Sequence, residues 1–361
     1  MPLIYESLAD VDPSYSTVAG SVAVIVVNWN SGAYLKKCLD AVVLQTVPIA
    51  KIVIVDNASS DSSLAQAGEL PTRAQLIRLP KNSGFAAGNN LAVKAAEGCE
   101  WLAFLNVDAF PEPDWLERLL AAAISQPAGA LFGSRMLQAH DPERLDGVGD
   151  AYHVSGVHWR IGHGQSVRTP IAHNAEVFSV CGAAMLCRRD LFLEMGGFDE
   201  SFFCYAEDVD LGFRLRLRGH CCWYVPESTV YHVGSATTGK RSDFAVYHGH
   251  RNLVWVYFKN MPWSLLWLYL PQHLLLNFIS LIYFTAQGKG RVILAAKWAA
   301  LRGLPQVLRE RRQVQQTRRV SGCEMRRAME TGWLTPYTRG SLWKELFRPL
   351  AAKRKDAGKS K

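Results

Sequence analysis

The sequence predicts an α/β protein with a mostly parallel central sheet, extended at its C-terminus by apolar helices. Three observations carry this expectation. Short β-branched runs alternate with helical patterns as far as Ile124, polar residues follow the apolar runs, and a segment without formal charge from Met261 to Gln287 precedes a basic tail.

The elements follow in order. Val22 to Val27 reads as the first strand and Tyr34 to Leu44 as a helix; Ile52 to Val55 is a second strand, closed by a Ser-rich turn. Leu76 to Leu79 precedes the helical pattern Phe85 to Ala96, and Trp101 to Leu105 precedes Trp115 to Ile124. Such alternation specifies parallel strands covered on both faces, and ligands of these sheets sit beyond the carboxyl ends of the strands. From Gly133 to Gln165 the chain is rich in Gly, His and Arg with weak periodicity, which predicts irregular loops or a small antiparallel insertion. Order returns at Val177 to Leu186. A helix opens near Arg189 and ends at Gly196-Gly197, and another runs from about Glu207 to Arg218 and stops at Gly219.

With 361 residues, 49% hydrophobic and 20% charged, the composition is not that of a disordered chain and suits one large domain plus an appendage. The expected divisions are an N-terminal extension over 1–20, a catalytic domain over 21–260, apolar helices over 261–305 and a basic tail over 306–361. The eight cysteines form no C-x-x-C pair, Cys221-Cys222 reads as structural, and no charged-then-apolar leader precedes Val22. Reduced thiols in the cytoplasm are therefore expected.

The net charge of +8 is unevenly spread: the acidic part ends near Asn252, and the basic residues dominate beyond it. A basic tail suits nucleic acid or an anionic membrane surface, and the apolar segment before it favours the membrane. Arg309, Arg311, Arg312, Arg318 and Arg319 are expected at that surface. Pro271 interrupts the apolar segment, and His273, Asn277 and Ser280 form a polar stripe along it at i, i+4 and i+7. A single span would also separate the tail from the catalytic part, so interfacial or re-entrant membrane-associating helices are expected, with a buried helical layer or subunit interface as the alternative.

The chemistry concentrates in the stretch from Cys204 to Arg214, where Glu207, Asp208 and Asp210 fall in the first turn of a helix. The positive end of the helix dipole holds acids ionised, and an ionised Asp there can serve as a general base; a solvated, over-capped helix start is the bland alternative. Asn106 and Asp108, at i and i+2 after a strand, point the same way and can share a ligand such as a divalent cation holding phosphate oxygens. Asp56-Asn57 follows an earlier strand, and the loop Asn82 to Asn90 can bring backbone N–H groups to phosphates or sugar. Asn28 and Asn30 flank Trp29 at the end of the first strand, where the indole either stacks on a base or packs in the core.

Together these motifs resemble one family. Val27-Asn28-Trp29-Asn30, Val55-Asp56-Asn57-Ala58-Ser59, the loop 82–90, Leu105-Asn106-Val107-Asp108-Ala109, residues 196–203, Glu207-Asp208-Val209-Asp210-Leu211 and residues 232–235 stand in the order found in family 2 inverting glycosyltransferases. Within them the chain looks most like the bacterial rhamnosyltransferase branch.

The resemblance covers about residues 20–260 and implies a GT-A fold binding a dTDP- or UDP-sugar donor. It implies that Asp56 recognises the base; Asn28, Asn30, Asn57, Asn82, Gly84, Phe85, Gly88, Asn89 and Asn106 belong to the nucleotide-sugar site, and Arg251, with Tyr247 and Asn252, lies near the diphosphate. It further implies that Asp108 and His232 hold Mg2+ or Mn2+, that Asp208 is the base with Glu207 beside it, and that Asp199 and Glu207 meet the acceptor. The neighbourhood of Asp146 to Asp150 is a weaker acceptor candidate.

The family's usual Asp-x-Asp is here Asn106-Val107-Asp108, which weakens metal binding and favours a deoxyribose donor. The expected activity is transfer of L-rhamnose from dTDP-rhamnose to a lipid-linked or polysaccharide acceptor at the cytoplasmic face of the bacterial inner membrane. A UDP-hexose or UDP-galactofuranose donor is the alternative within the fold, and a non-catalytic lipid- or nucleic-acid-binding protein the remote one. No nucleic-acid partner is expected, and self-association stays open.

Overall fold

The computed structural model describes residues 21–169, 175–234 and 242–335. The N-terminal extension, Ser235 of the last motif and the tail beyond 335 lie outside the described residues.

The strands are β1 (Val22–Asn28), β2 (Ile49–Asp56), β3 (Ala74–Arg78), β4 (Trp101–Asn106), β5 (Ala109–Pro111), β6 (Gly129–Gln138), β7 (Asp141–Gly147), β8 (Asp150–Tyr152), β9 (His158–Arg160), β10 (Glu176–Val177), β11 (Ala184–Arg188) and β12 (Cys221–His232). The helices are α1 (Tyr34–Val43), α2 (Ser63–Ala67), α3 (Gly84–Ala95), α4 (Trp115–Ser125), α5 (Arg189–Glu194), α6 (Glu207–Leu217), α7 (Asp243–Asn260), α8 (Trp263–Ala286), α9 (Gly290–Gln316) and α10 (Gly322–Arg327).

The main sheet runs β10-β12-β6-β11-β4-β1-β2-β3, with β5 on β12 and β7 on β6; β8 and β9 form a separate ribbon. β1 pairs in parallel with β2 and β4, and β2 with β3, while β11 enters antiparallel between β4 and β6. Period-2 alternation divides the apolar run of β1 between two cores. Val22, Val24 and Val26 face α1 and α4, whereas Ala23 and Ile25 face α3 and α5. Buried on both sides, the strand needs no polar residue until Asn28, which is why the strand ends carry the polar side chains.

One expectation fails here. The weakly periodic region from Gly133 contains most of β6, a fully paired strand between β11 and β12. Its pattern is obscured because Gly133 is required by packing: a Cβ there would stand 2.6 Å from that of Val180. Ser134 is also buried, accepting from Trp115 Nε1 at 2.7 Å. The expected antiparallel insertion exists only in β7 and the β8–β9 ribbon. The eight cysteines are free thiols.

A third core joins the β8–β9 region to α7, α8, α9 and α10. α8 continues through Pro271, and α9 runs unbroken across residue 305, so the apolar and basic segments share an element. The polar stripe of α8 faces the protein: His273 and Ser280 are buried, and His273 Nδ1 lies 2.8 Å from the Ser155 carbonyl. The opposite faces of α8 and α9 expose Trp267, Phe278 and Trp298 at 63%, 59% and 68%. Arg311 departs from the expected basic surface. It is buried, with its guanidinium over the Trp263 ring at 4.2 Å.

Candidate active site

The strand ends are joined by side chains. Asn28, paired in register with Asp56, is buried and donates from Nδ2 to Asp56 Oδ1 at 2.8 Å, Ser63 Oγ at 3.0 Å and Ser59 Oγ at 3.1 Å. Asn28 therefore orients Asp56 and is not itself presented to a ligand. Asn30, at φ 48°, accepts the backbone N–H of Ser60 at 2.8 Å and so clamps the loop after β2. Asn57 is likewise spent on structure, bonding the Gly84 carbonyl at 3.0 Å and the Ser83 N–H at 2.8 Å.

The loop from Asn82 to Asn90 departs from its expected role as a phosphate cradle. Asn82 Oδ1 accepts the Gly84 N–H at 2.8 Å, and the Phe203 carbonyl accepts from the N–H groups of Phe85 at 2.7 Å and Ala86 at 3.3 Å. These donors at the start of α3 are already taken. Gly84, at φ +88°, lets Phe203 approach, because a Cβ would lie 2.5 Å from that carbonyl. Gly88 lets α3 pack on Val27, and buried Asn89 bonds within its own helix at 2.9 Å.

Phe203 belongs to a loop with positive φ at Phe203, Tyr205 and Ala206, where non-Gly backbone is costly. Asn252 holds it, donating from Nδ2 to the carbonyls of Phe202 at 3.0 Å, Cys204 at 2.9 Å and Tyr205 at 2.7 Å. Arg251 donates to the carbonyls of Ser201 at 3.0 Å and Phe202 at 2.8 Å and lies over Trp255 at 4.3 Å. These contacts brace the loop, and among the described residues none of its hydrogen bonds reaches a strand end.

The loop delivers α6 and its carboxylates, which the fold separates into different environments. Asp208 accepts the Gly182 N–H at 2.9 Å and the Val209 N–H at 2.8 Å. Gly182 adjoins Ala183, whose carbonyl accepts the Asn106 N–H at 2.8 Å, so Asp208 stands beside the end of β4. Glu207 is buried, its Oε2 has no hydrogen-bond partner among the described residues, and burial together with Asp208 pushes its carboxyl well above the ordinary 4.5. Asp210 is fully buried against Arg214 at 2.8 Å, Lys259 at 3.2 Å and Asn260 at 2.7 Å. It is structural, which removes one of the three clustered acids from the chemistry. Asp199, expected at the acceptor, caps the turn at Ser201 at 2.9 Å and pairs with Lys259 at 2.6 Å. Burial opposes its charge, yet Lys259 lowers its carboxyl to about 2.

Across the cleft, β-pairing places His232 opposite Ala109, so the residue before Ala109 comes to lie beside the imidazole. His232 Nε2 is 3.3 Å from Asp108 Oδ1, buried and without an aligned hydrogen bond; Nδ1 lies 2.9 Å from Asp146 Oδ2. Burial disfavours the imidazolium, but pairing with Asp108 and Asp146 holds its proton up to about 9. Asp146 is itself held well below the carboxylate range, against burial, by His163 and His232. Arg160 closes the network, donating to Asp150 at 2.9 Å, and burial raises Asp150 to about 6.

His232 Nε2 and Asp108 Oδ1, 3.3 Å apart, are spaced as neighbouring ligands of one divalent cation, which would take the place of the imidazolium proton, with Asp146 fixing the ring as a carboxylate behind a metal-bound histidine does. Among the described residues no group of three or more His, Cys, Asp or Glu completes a cage. A hard cation that takes its remaining ligands from phosphate and water needs none. Sequence spacing gave no sign of the Asp146–His232 contact, because the two residues are joined only by the pairing of β7 and β12 to β6. A cavity of about 410 Å³ opens elsewhere, between Gly197, Asp199, Lys259 and Glu310, and no strand-end residue lines it.

Residues 23–196 match the profile of glycosyl transferase family 2. The N-acetylglucosaminyl-diphospho-decaprenol L-rhamnosyltransferase of Mycobacterium tuberculosis is 30% identical over 248 residues, covering 62% of this chain and 80% of its own length. An O-antigen biosynthesis protein of Myxococcus xanthus is 30% identical over 231 residues, covering 62% of this chain and 18% of its own. The crystal structure of GalNAc-T7 with UDP, GalNAc and Mn2+ superposes with a TM-score of 0.54 at 16% identity, over 67% of this chain and 48% of that one, which shows a common fold.

Proposed function

We propose, on the premise that this chain belongs to glycosyl transferase family 2 and is a glycosyltransferase with the GT-A fold, that it moves L-rhamnose from dTDP-rhamnose to a lipid-linked sugar acceptor. The observation that carries the reading is Asp208, fixed by two backbone N–H groups beside the end of β4. An acceptor hydroxyl gives its proton to Asp208 as its oxygen bonds to the sugar C1. The bond from C1 to the diphosphate breaks in the same displacement, the nucleoside diphosphate leaves, and the anomeric centre inverts. A positioned base of this kind contributes roughly 10²- to 10⁴-fold. Burial and then Asp208 push the Glu207 carboxyl up, which disfavours a second negative charge beside the base.

Asp56, oriented by Asn28, accepts the N3–H of thymine or uracil. Asp108 and His232 would hold a divalent cation, which supplies charge neutralisation for the leaving diphosphate when bound. The transferred sugar and the lipid-linked acceptor are taken from the name of the mycobacterial relative, and the dTDP carrier from Asn106 standing where the family usually has Asp. The lipid part is supported by α8, the one described helix long and apolar enough to cross a membrane, whose polar stripe is turned into the protein and held there. Together with α9 it presents an apolar face that suits lying in the cytoplasmic interface of the inner membrane.

The test is nucleotide release by purified protein given dTDP-rhamnose or UDP-hexoses with N-acetylglucosaminyl diphosphoprenol. Release from dTDP-rhamnose that needs the acceptor, and that Asp208→Asn cuts at least tenfold without changing dTDP affinity, is expected. Release from a UDP-sugar alone overturns the donor.

A further inference from the structure

Where α7, α8 and α9 meet, beside the exposed apolar face, lies a group of basic side chains that the transfer step does not use. Lys297 on α9 donates to the His250 carbonyl on α7 at 3.2 Å and to Asn277 Oδ1 on α8 at 2.5 Å, joining three helices. Among the described residues no carboxylate acts on it, and burial brings its ammonium down to about 7. Two imidazole nitrogens nearby, His250 Nδ1 and His158 Nδ1, are buried with no hydrogen-bond partner among the described residues. Burial, then Lys297 and His158, depresses His250 to about 3, and burial with Lys297 depresses His273 to about 4. Burial first, and then their mutual repulsion, takes charge from these bases, and among the described residues no carboxylate offsets it at Lys297 or His250.

The group has two neighbours of opposite character. On one side Asp208 acts on His158. On the other, Leu294, Trp298 and Leu301 flank Lys297 along α9, and Phe278 follows Asn277 on α8, all of them exposed.

We propose that Lys297, with His250 and His158, forms the subsite for the phosphate groups of the lipid-linked acceptor. The proposal rests on the acceptor class named above. A sugar whose hydroxyl reaches Asp208 while its prenyl chain lies on α8 and α9 carries its diphosphate between the two, and this group borders both, through His158 on the Asp208 side and Lys297 among the exposed apolar residues. The anion supplies the missing countercharge for Lys297 and hydrogen-bond partners for the two orphaned ring nitrogens. A phospholipid headgroup shares this chemistry but has no sugar to deliver to Asp208.

The experiment uses the full chain in detergent, with Lys297→Met and Lys297→Arg. Lys297→Met is expected to raise KM for N-acetylglucosaminyl diphosphoprenol at least tenfold with KM for dTDP-rhamnose unchanged, and Lys297→Arg to recover most of the loss. Calorimetric titration with farnesyl diphosphate, which needs no turnover, should show the same tenfold weakening in Lys297→Met. His250→Asn repeats the measurement should Lys297→Met lower the melting temperature. An unchanged farnesyl diphosphate affinity overturns the subsite, as does an equal loss with an uncharged alkyl glycoside acceptor, which marks Lys297 as a helix clamp. Lost binding to phosphatidylglycerol vesicles with farnesyl diphosphate affinity intact assigns the group to bulk lipid and also overturns it. Failure of transfer to any diphosphoprenol acceptor defeats the functional reading instead, and the farnesyl diphosphate titration then still decides the subsite.

Discussion

At the scale of single residues, side chains with the same carboxyl group are set apart by what surrounds them. Glu207 and Asp210 lie within one helical turn, yet Asp210 faces Arg214 and Lys259 while Glu207 faces Asp208. A carboxyl raised above its ordinary 4.5 binds its proton more tightly folded than unfolded, so its contribution to stability is full below that pH and is lost as the pH climbs through the raised value. Glu207→Gln keeps the shape and removes the titration. The melting temperature of the variant should therefore fall less, as the pH rises above the ordinary 4.5, than that of the unmodified protein; parallel falls would show that the Glu207 carboxyl is not raised. Asp146 differs again, because it acts through His232 at 2.9 Å. Asp146→Asn should weaken Mn2+ affinity by about 10- to 100-fold, as loss of a carboxylate behind a ligating histidine does. Electron paramagnetic resonance of free Mn2+ reads this without turnover, and unaltered affinity would remove Asp146 from the cation site.

At the scale of elements, the loop from Phe202 to Ala206 holds the site together. Its backbone conformation at three non-Gly positions costs of order 1–3 kcal/mol each and persists because Asn252 and Arg251 grip its carbonyls. In return it caps α3 through Phe203 and starts α6 at Glu207. Asn252→Ala should reduce stability by about 1–3 kcal/mol in denaturant titration, the cost of unsatisfied buried groups. If the loop positions Asp208, kcat falls more than donor KM rises; a change in stability alone would make Asn252 purely structural.

For the molecule as a whole, the apolar face of α8 and α9 is the largest departure from an ordinary soluble surface. It sits on the core that also contains the β8–β9 ribbon, so binding to a surface through it orients the cleft with respect to that surface. Each exposed aromatic adds about 1.5–3 kcal/mol when buried in an apolar phase. Combined Trp267→Glu, Phe278→Glu and Trp298→Glu should abolish flotation with anionic vesicles and leave the melting temperature unchanged, since these side chains are exposed. Retained flotation would assign membrane attachment to the basic residues instead.

The parallel half of the sheet and the identity of the motif residues were legible in the sequence because both are local. β1, α1, β4 and α4 announce themselves by period and composition, and Asp56, Asp108 and Asp208 stand beside recognisable strand ends or a helix start. The central strand β6 was not legible, because its glycines and buried Ser134 answer to partners far along the chain. Nor was the division of labour among the polar residues. Nothing in the order of residues distinguishes Asn57, which bonds the next loop, from a ligand contact, or Asp210 from Asp208. The sequence by itself determined which chemical groups are available and where the strands end. Tertiary structure decided which groups are consumed in holding the fold and which keep an atom facing the cleft, because hydrogen bonds and ion pairs form between residues brought together only by the pairing of distant strands and the packing of helices across them.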